Sequence, residues 1–259
     1  IIEYNLINKP QDSAFYVPSR TNIEILFEPY TSCENLITIF GPRFESNPED
    51  PELLDRITDM LEKSGCTDSE LFFRATKNLH RLRPTAQSAF LMGRLESNQE
   101  NHTQAIRYWE QAIELYSADE SGNFTEELFR TYMLMADAMH RGLRRFPQAR
   151  TYYLAAAEVK PGDGRPFLLI GEMYAASAAD CGTDEVERGA VYWAAVDKFI
   201  RARNIDSDPN IVARANQSIS TWSQYFPSLD ILFFNNLETG EAYRVGCWIN
   251  ENTTVRARP

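Results

Sequence analysis

The chain has 259 residues, of which 43% are hydrophobic and 24% are charged, a composition typical of a folded globular protein. Acidic residues outnumber Lys and Arg by 37 to 26, which gives a formal net charge of -11. This charge argues against a nucleic-acid partner, because phosphate binding requires a basic surface. It suits a basic ligand or a cationic protein surface better, but the favoured interpretation is that the surplus acid only keeps an extended surface soluble. No stretch approaches the roughly 18 consecutive apolar residues of a membrane span, so no transmembrane segment is predicted.

The first 31 residues contain Pro10, Pro18 and Pro29 between short apolar runs, so residues 1–31 are predicted to form an irregular lead-in. The chain begins at Ile1 rather than at Met, and we therefore expect a removed leader or further helices upstream. The rest is predicted to divide into degenerate helical repeats over residues 32–84, three regular repeats with insertions over residues 85–209, and a capping helix with a β-hairpin tail over residues 210–259.

Three amphipathic helices are predicted before residue 85, because apolar residues recur there every three or four positions between turn signals. Gly65 provides the stop signal after the second helix, since glycine readily adopts the left-handed backbone that ends a helix. The expected bounds are Ser32 to before Pro48, about Pro51 to Lys63, and Asp68 or Ser69 to before Pro84.

From residue 85 onward one spacing occurs three times: a small residue, an aromatic four positions later, and an alanine three positions after that. Steps of four and three keep these residues on one stripe of a helix, where small side chains let a second helix approach closely. Gly93 and Gly171 lie on the apolar face of the helix preceding the first and the third set, so we predict packed helical hairpins with the stripe in the core. The sets are Ala105, Trp109 and Ala112; Ala149, Tyr153 and Ala156; and Ala195, Phe199 and Ala202.

These sets resemble the tetratricopeptide repeat (TPR), a helix-turn-helix unit of 34 residues with small, large apolar and often proline residues at fixed positions. The resemblance implies an all-α fold, a right-handed α-α superhelix of helical hairpins, and a non-catalytic role in protein binding. Ala105 and Ala149 are 44 residues apart, and Ala149 and Ala195 are 46 apart, so surplus residues are present. We expect them in insertions at about 118–124 and 180–190, which serve as spacers or as functional loops.

A last helix is predicted over about residues 210–225, with an apolar face that seals the core and a polar face toward water. Beyond it the period changes to alternation, which predicts a small β-hairpin with a strand at about 243–249, a turn at 250–252 and a return strand at 255–257. The tail also resembles that of TPR proteins from gut Bacteroidetes, which implies the same fold class.

The four cysteines form no Cys-x-x-Cys motif, so neither a zinc ribbon nor a redox site is predicted. Cys33 and Cys66 fall at the same pole of an antiparallel hairpin, where a disulfide is geometrically plausible. Cys181 and Cys247 have no such argument. We expect free, partly buried thiols for all four, with the Cys33–Cys66 disulfide as the alternative.

Neither an enzyme nor a bound metal or cofactor is expected. His80, His102 and His140 do not pair at the spacing that places two ligands on one helical face, although His140 is a candidate for the binding groove. The Gly162-Asp163-Gly164 turn precedes a helix but lacks the Lys and the spacing of a phosphate-binding loop, so a plain turn between repeats is favoured. No Gly-x-Ser-x-Gly motif or distinct acid pair occurs either.

In TPR proteins the first helix of each hairpin lines a concave face that binds peptides, so the matching positions form the predicted peptide-binding site. Family members that grip a peptide's terminal carboxylate need Lys where Phe90 and Leu168 stand, which disfavours that mode and favours an extended or helical peptide. The alternative is that these side chains only pack or face water along the concave wall. The site residues are Phe90, Arg94, Asn98, Arg130, Met133, Asp137, Arg165, Leu168 and Glu172.

Three functions remain open from the sequence. The first is a scaffold for protein-protein contacts in the bacterial envelope or periplasm, with the cytoplasm as the alternative location. The second is a carbohydrate-binding accessory protein of a glycan-uptake system, which requires exposed coplanar aromatic rings such as those of Trp222, Tyr225 and Trp248. The third is a structural or self-assembling role.

Overall fold

The structure is a computed structural model that describes residues 32–120 and 122–259, so the predicted lead-in over residues 1–31 lies outside it. The described residues form helices joined by short turns, with one two-stranded sheet near the carboxyl end. The chain divides into two compact units, Ile1–Met92 (unit 1) and Gly93–Pro259 (unit 2). Their boundary falls inside a helix, eight residues beyond the predicted junction after residue 84.

The described part of unit 1, residues 32–92, contains three complete helices whose bounds agree closely with the predicted ones. Side-chain oxygens of Ser32, Asp50 and Ser69 cap their amino ends by accepting backbone N–H groups. Gly65, at φ 72°, follows the second helix as expected. The helices are α1 (Cys33–Ser46), α2 (Pro51–Lys63) and α3 (Glu70–Leu82).

All four cysteines form disulfides, so the expectation of free thiols is wrong. The Cys33–Cys66 bridge of unit 1 joins the start of α1 to the turn after α2, with the Cα atoms 5.4 Å apart. The Cys181–Cys247 bridge of unit 2 has the same Cα separation across 66 positions of sequence. The second pair carried no local signal, because Cys247 approaches Cys181 only after the carboxyl-terminal tail has folded back.

Unit 2 consists of consecutive helical hairpins followed by the tail. A π-helical turn, Ala138–Gly142, continues its third helix. Residues of the predicted second insertion mostly form a four-residue helix and lengthen the next helix to 21 residues, rather than a long loop. The helices are α4 (Ala86–Asn98, beginning in unit 1), α5 (His102–Ala118), α6 (Thr125–Asp137), α7 (Phe146–Val159), α8 (Arg165–Ala176), α9 (Ala178–Cys181), α10 (Glu185–Ile205), α11 (Pro209–Ser223) and α12 (Leu229–Phe234).

The three repeated stripes are confirmed as core, since all nine of their residues are fully buried. The two glycines on the preceding helices have the expected role. A Cβ atom on Gly171 would lie 2.6 Å from Cε1 of Phe199, and one on Gly93 would overlap the Trp109 indole. Glycine at these positions therefore allows α8 to pack against α10 and α4 to pack against α5.

The tail contains the predicted β-hairpin in a shorter form, β1 (Ala242–Arg244) paired antiparallel with β2 (Asn252–Thr254). The predicted turn at 250–252 was wrong, because the connecting loop spans residues 245–251. Cys247 and Asn250 have φ values of 58° and 46°, which end the extended conformation. The short helix α12, just before the hairpin, was not predicted.

Polar contacts fix the tail to α7, α8 and α10. The Glu251 carboxylate accepts a hydrogen bond from the Tyr174 hydroxyl at 2.7 Å and pairs with Lys198 at 2.6 Å. Arg150 donates to the Ile249 carbonyl at 2.5 Å and lies 3.4 Å from Glu251. These charged side chains are less than one third exposed, so the tail packs against unit 2 as an integral part of its fold.

Candidate functional site

Phe90 and Leu168 are core residues, 3% and 0% exposed, which corrects the prediction that they line a peptide-binding face. Each precedes by three positions a glycine that packs against the neighbouring helix, namely Gly93 and Gly171. Residues three apart share a helical face, so both side chains point toward the core with those glycines. The glycine positions in the sequence contained this information.

The other predicted residues are at least partly accessible and lie in unit 2. Arg94 and Asn98 are on α4, Arg130, Met133 and Asp137 are on α6, and Arg165 and Glu172 are on α8.

Arg165 is engaged within its own segment. Its guanidinium group donates two hydrogen bonds to Asp163, at 2.8 and 2.5 Å, and lies 4.8 Å from the centre of the Phe129 ring. Burial opposes ionisation of Asp163, but the bonds from Arg165 outweigh it and hold the pKa of the carboxyl group below its ordinary value. The Gly164 N–H donates to Asp206 at 2.7 Å. The polar groups of the Gly162-Asp163-Gly164 turn therefore form hydrogen bonds within the protein, as expected for a plain turn between repeats.

Asp137 on α6 and Glu172 on α8 both influence the pKa of the Tyr153 hydroxyl group. Tyr153 belongs to the core stripe of α7 and is 0% exposed, yet its hydroxyl has no hydrogen-bond partner among the described residues. Burial raises the pKa of this phenol most strongly. The carboxylates of Asp137 and Glu172 raise it further and the Arg141 guanidinium lowers it, so all three charges act on the hydroxyl.

His140 belongs to the same cluster. It lies in the π-helical turn, is half-buried, and its Nδ1 atom is buried without a hydrogen-bond partner among the described residues. Burial lowers its pKa, Arg141 and Arg144 lower it further, and Asp137 and Glu172 oppose the change. We call Asp137, His140, Arg141, Tyr153 and Glu172 the Tyr153 site.

The π-helical turn Ala138–Gly142 widens the backbone directly after the end of α6. Its backbone bond runs from the Leu143 N–H to the Ala138 carbonyl at 3.0 Å, one residue longer than an α-helical bond. Gly142 allows close contact there, because a Cβ atom would overlap the His102 ring. Such turns occur frequently at functional sites, and the α-helical period assumed for this sequence did not reveal it.

The charged residues of the Tyr153 site present donors and acceptors together. Arg141 pairs with Asp137 at 2.7 Å, and Arg214 of α11 pairs with Glu172 at 2.5 Å. These pairs are half exposed, and ion pairs of this kind contribute only ~0–1 kcal/mol, so a ligand can replace either partner. Guanidinium donors, carboxylate acceptors and a hydroxyl that can donate or accept match the alternating groups of a peptide backbone.

The candidate aromatic platform for carbohydrates is only partly present. The Trp248 indole packs against Phe146 and Tyr174, with centroid distances of 5.4 and 5.3 Å. Trp222 stacks on Tyr192 at 5.5 Å with an angle of 14° between the rings, and Tyr225 borders both. Tyr225 is 54% exposed and provides the most accessible ring of this cluster.

Neither a metal site nor a membrane span is found in the described part of the chain. Residues 32–120 and 122–259 contain no cluster of three or more His, Cys, Asp or Glu side chains arranged to hold an ion. Within the same ranges, every helix is too short or too polar to cross a bilayer.

Comparison with known proteins identifies the fold. No protein family and no curated protein matches the sequence. The crystal structure of MamA, a TPR protein, superposes with a TM-score of 0.50 at 16% identity, covering 69% of this chain and 91% of that chain. The C-terminal part of a TPR repeat-containing protein from Cytophaga hutchinsonii covers 83% of this chain and 95% of its own at 12% identity, but its TM-score of 0.31 does not inform on fold. The likeness to MamA and the helical hairpins show that the chain has the predicted all-α, TPR-like fold.

Proposed function

We propose that this chain is a non-catalytic scaffold that binds an extended peptide segment of a partner protein at the Tyr153 site. The observation that carries the proposal is the two partly exposed ion pairs Asp137–Arg141 and Glu172–Arg214, whose carboxylates lie on α6 and α8 at two positions of the predicted binding face. Exposed ion pairs of this kind contribute only ~0–1 kcal/mol. A peptide amide that donates to either carboxylate, or a peptide carbonyl that accepts from either guanidinium group, can therefore replace them.

The fold supports this proposal because TPR-like hairpins present the first helix of each pair, here α4, α6 and α8, to a partner. Asp137 and Glu172 lie on two of these helices. The formal charge of -11 further favours partners with a basic or neutral surface over acidic ones.

Selection of peptides from a random phage-displayed library on the full chain tests the proposal. Peptides selected on the native chain are expected to bind the Glu172→Gln variant at least about fivefold more weakly, since one hydrogen bond contributes roughly 1 kcal/mol. The same substitution should change the free energy of unfolding by less than about 1 kcal/mol, because the Glu172–Arg214 pair is partly exposed.

Glu45→Gln is the matched control. Glu45 also forms an exposed ion pair, with Arg74, but it lies in unit 1 outside the Tyr153 site, so peptide affinity should not change. Asp137→Asn should weaken binding as Glu172→Gln does. Failure to select any peptide, or equal affinity for the Glu172→Gln and native chains, would overturn the proposal.

We also propose that the protein works in the bacterial envelope, in the periplasm or attached to it. The support is the pair of disulfides, because such bonds persist in oxidising compartments and are rare in the cytoplasm. Acid quenching of the native host followed by maleimide labelling gives the test. If the protein works in the envelope, all four cysteines should resist labelling until a reductant is added. Immediate labelling would contradict the proposal and indicate the cytoplasm.

A second candidate function is carbohydrate binding, favoured by the ring cluster of Tyr192, Trp222 and Tyr225. An exposed aromatic face can stack on the apolar face of a sugar ring. Affinity electrophoresis on a panel of polysaccharides should show retardation that is lost in Tyr225→Ala. Absence of retardation on every polysaccharide eliminates this candidate without affecting the peptide proposal.

A further inference from the structure

The short helix α12 carries an exposed apolar surface that the Tyr153 site does not involve. Leu229, Phe233 and Phe234 are 66%, 77% and 80% exposed. Leu229, Phe233 and Leu237 line an open groove of about 500 Å³, within the ~300–1,000 Å³ typical of ligand clefts. Two adjacent phenylalanines at this exposure form a contiguous patch rather than a scattered apolar residue.

The surface is held in place from both ends, so the exposure does not result from an unanchored helix. Leu232, which lines the floor of the same groove, is 1% exposed and is therefore buried within unit 2. The Ser228 hydroxyl caps the amino end of α12, and the Leu237 N–H bonds the Leu232 carbonyl at 3.0 Å. The Arg258 N–H donates to the Pro227 carbonyl at 2.9 Å, which ties the end of the chain to the residues before α12.

Carboxylates border the groove. Asp230 and Glu238 are exposed, and neither forms an ion pair with another described residue. If a second copy of the chain docked through the same surface, the Asp230 and Glu238 carboxylates of the two copies would repel each other. These carboxylates would also repel an anionic membrane. A segment with apolar side chains flanked by Lys or Arg instead fills the groove and pairs with its rim.

We infer that the α12 groove is a second docking surface, which binds an amphipathic basic peptide segment of a partner protein. Phe233, Phe234 and Leu229 supply the apolar contact, and Asp230 and Glu238 select for positive charge. This surface is independent of the Tyr153 site in both position along the chain and chemistry.

The test uses the full chain and two fluorescent synthetic peptides, an amphipathic helix of Leu and Lys and the same sequence with Glu at every Lys. The Leu/Lys peptide should bind, and Phe233→Ser combined with Phe234→Ser should weaken it about tenfold or more, as expected for central aromatic contacts. Ile39→Ser, at a residue 40% exposed in unit 1, is the matched control and should change nothing. Asp230→Asn combined with Glu238→Gln should weaken binding severalfold at low salt and much less at high salt.

Because Asp230 also lies in the first turn of α12, Glu238→Gln alone provides a rim variant that leaves the helix intact. Thermal unfolding confirms that each variant is folded. Equal binding of both peptides, or unchanged affinity of the Phe233/Phe234 double variant, would overturn the inference. So would concentration-dependent dimerisation, or pelleting with phosphatidylcholine/phosphatidylglycerol vesicles, that requires the same two phenylalanines.

Discussion

Gly171→Ala tests the packing on which the repeats depend. Gly171 lies in the interior of α8, and a Cβ atom there would sit 2.6, 2.9 and 2.9 Å from three ring atoms of Phe199. Ordinary Cβ contacts begin near 3.4 Å, so the ring must move by close to an ångström. Phe199 is 0% exposed, so its ring can move only against neighbouring core side chains.

The expected magnitude is the difference between two opposing effects. Overpacking of a tight core costs about 1–3 kcal/mol, whereas alanine is about 1 kcal/mol more favourable than glycine in a helix interior. Because the ring is fully buried, we take the upper part of the overpacking range, about 2–3 kcal/mol, and expect a net loss of about 1–2 kcal/mol in the free energy of unfolding of unit 2. For a unit of this size, that corresponds to a decrease of roughly 2–8 °C in the midpoint of thermal unfolding.

Urea and thermal unfolding followed by circular dichroism measure this loss. Gly41→Ala is the matched control, since Gly41 also lies within a helix but a Cβ atom there meets nothing within 4 Å beyond its chain neighbours. It should change the stability of unit 1 by less than about 1 kcal/mol, because the gain of about 0.5–1 kcal/mol in helix propensity is opposed by the contact of the new Cβ with the ring of the following Pro42. Phe199→Leu removes the ring atoms that the new Cβ would approach, so it should reduce the cost of Gly171→Ala in a double-mutant cycle. A Gly171→Ala chain as stable as the native one would refute the packing argument.

Three further predictions concern the tail, the second disulfide and the buried imidazole. Glu251→Gln should destabilise unit 2 by about 1–3 kcal/mol in urea unfolding, because it leaves Lys198 and Arg150 partly buried without their carboxylate, whereas Glu45→Gln, in the exposed pair with Arg74, should have no measurable effect. Cys181→Ser with Cys247→Ser should cost about 4 kcal/mol by the chain-entropy relation for a 66-residue separation, and reduction of a chain that carries Cys33→Ser and Cys66→Ser should approach the same value relative to its oxidised form. Burial holds the pKa of His140 below its ordinary 6.5, so the unfolded chain binds the proton more readily than the folded chain. The contribution of His140 to the free energy of unfolding is therefore fully present above pH 6.5 and decreases as the pH falls below that value. The same decrease should be smaller in His140→Gln, and an identical pH profile would show that His140 does not titrate as described.

The core of the repeats could be predicted because its signal is local. Ala149, Tyr153 and Ala156 lie within two helical turns, so the 3.6-residue period alone places them on one stripe, and all three are fully buried. The same reasoning would have placed Phe90 and Leu168 in the core if it had started from the packing glycines. The error arose from using the positions of the family's groove residues instead of the apolar face of this chain's own helices.

The Tyr153 site and the tail could not be predicted, because they depend on contacts between residues far apart in the sequence. Charged residues on α6 and α8 influence the pKa of the Tyr153 hydroxyl. A π-helical turn directly after α6 adds one residue to the α-helical period. Arg150 reaches the Ile249 carbonyl 99 positions away. Neither propensity nor periodicity contains information on such pairs, which form only once the helices have packed.

The position of the tail also determines which surfaces of unit 2 remain for a partner. Arg150 on α7 and Lys198 on α10, two cations on the second helices of their hairpins, are bound to the tail through Glu251. The Trp193 indole donates to the Arg256 carbonyl at 2.8 Å and is 0% exposed. The tail thus covers these aromatic and basic groups of the second helices and keeps them from a ligand. The side chains that a partner can reach lie on the first helices and on α12. Glu251→Gln should therefore loosen the tail and expose new apolar surface to a hydrophobic dye, while Glu172→Gln should not, even though only the latter removes a group from the proposed peptide site.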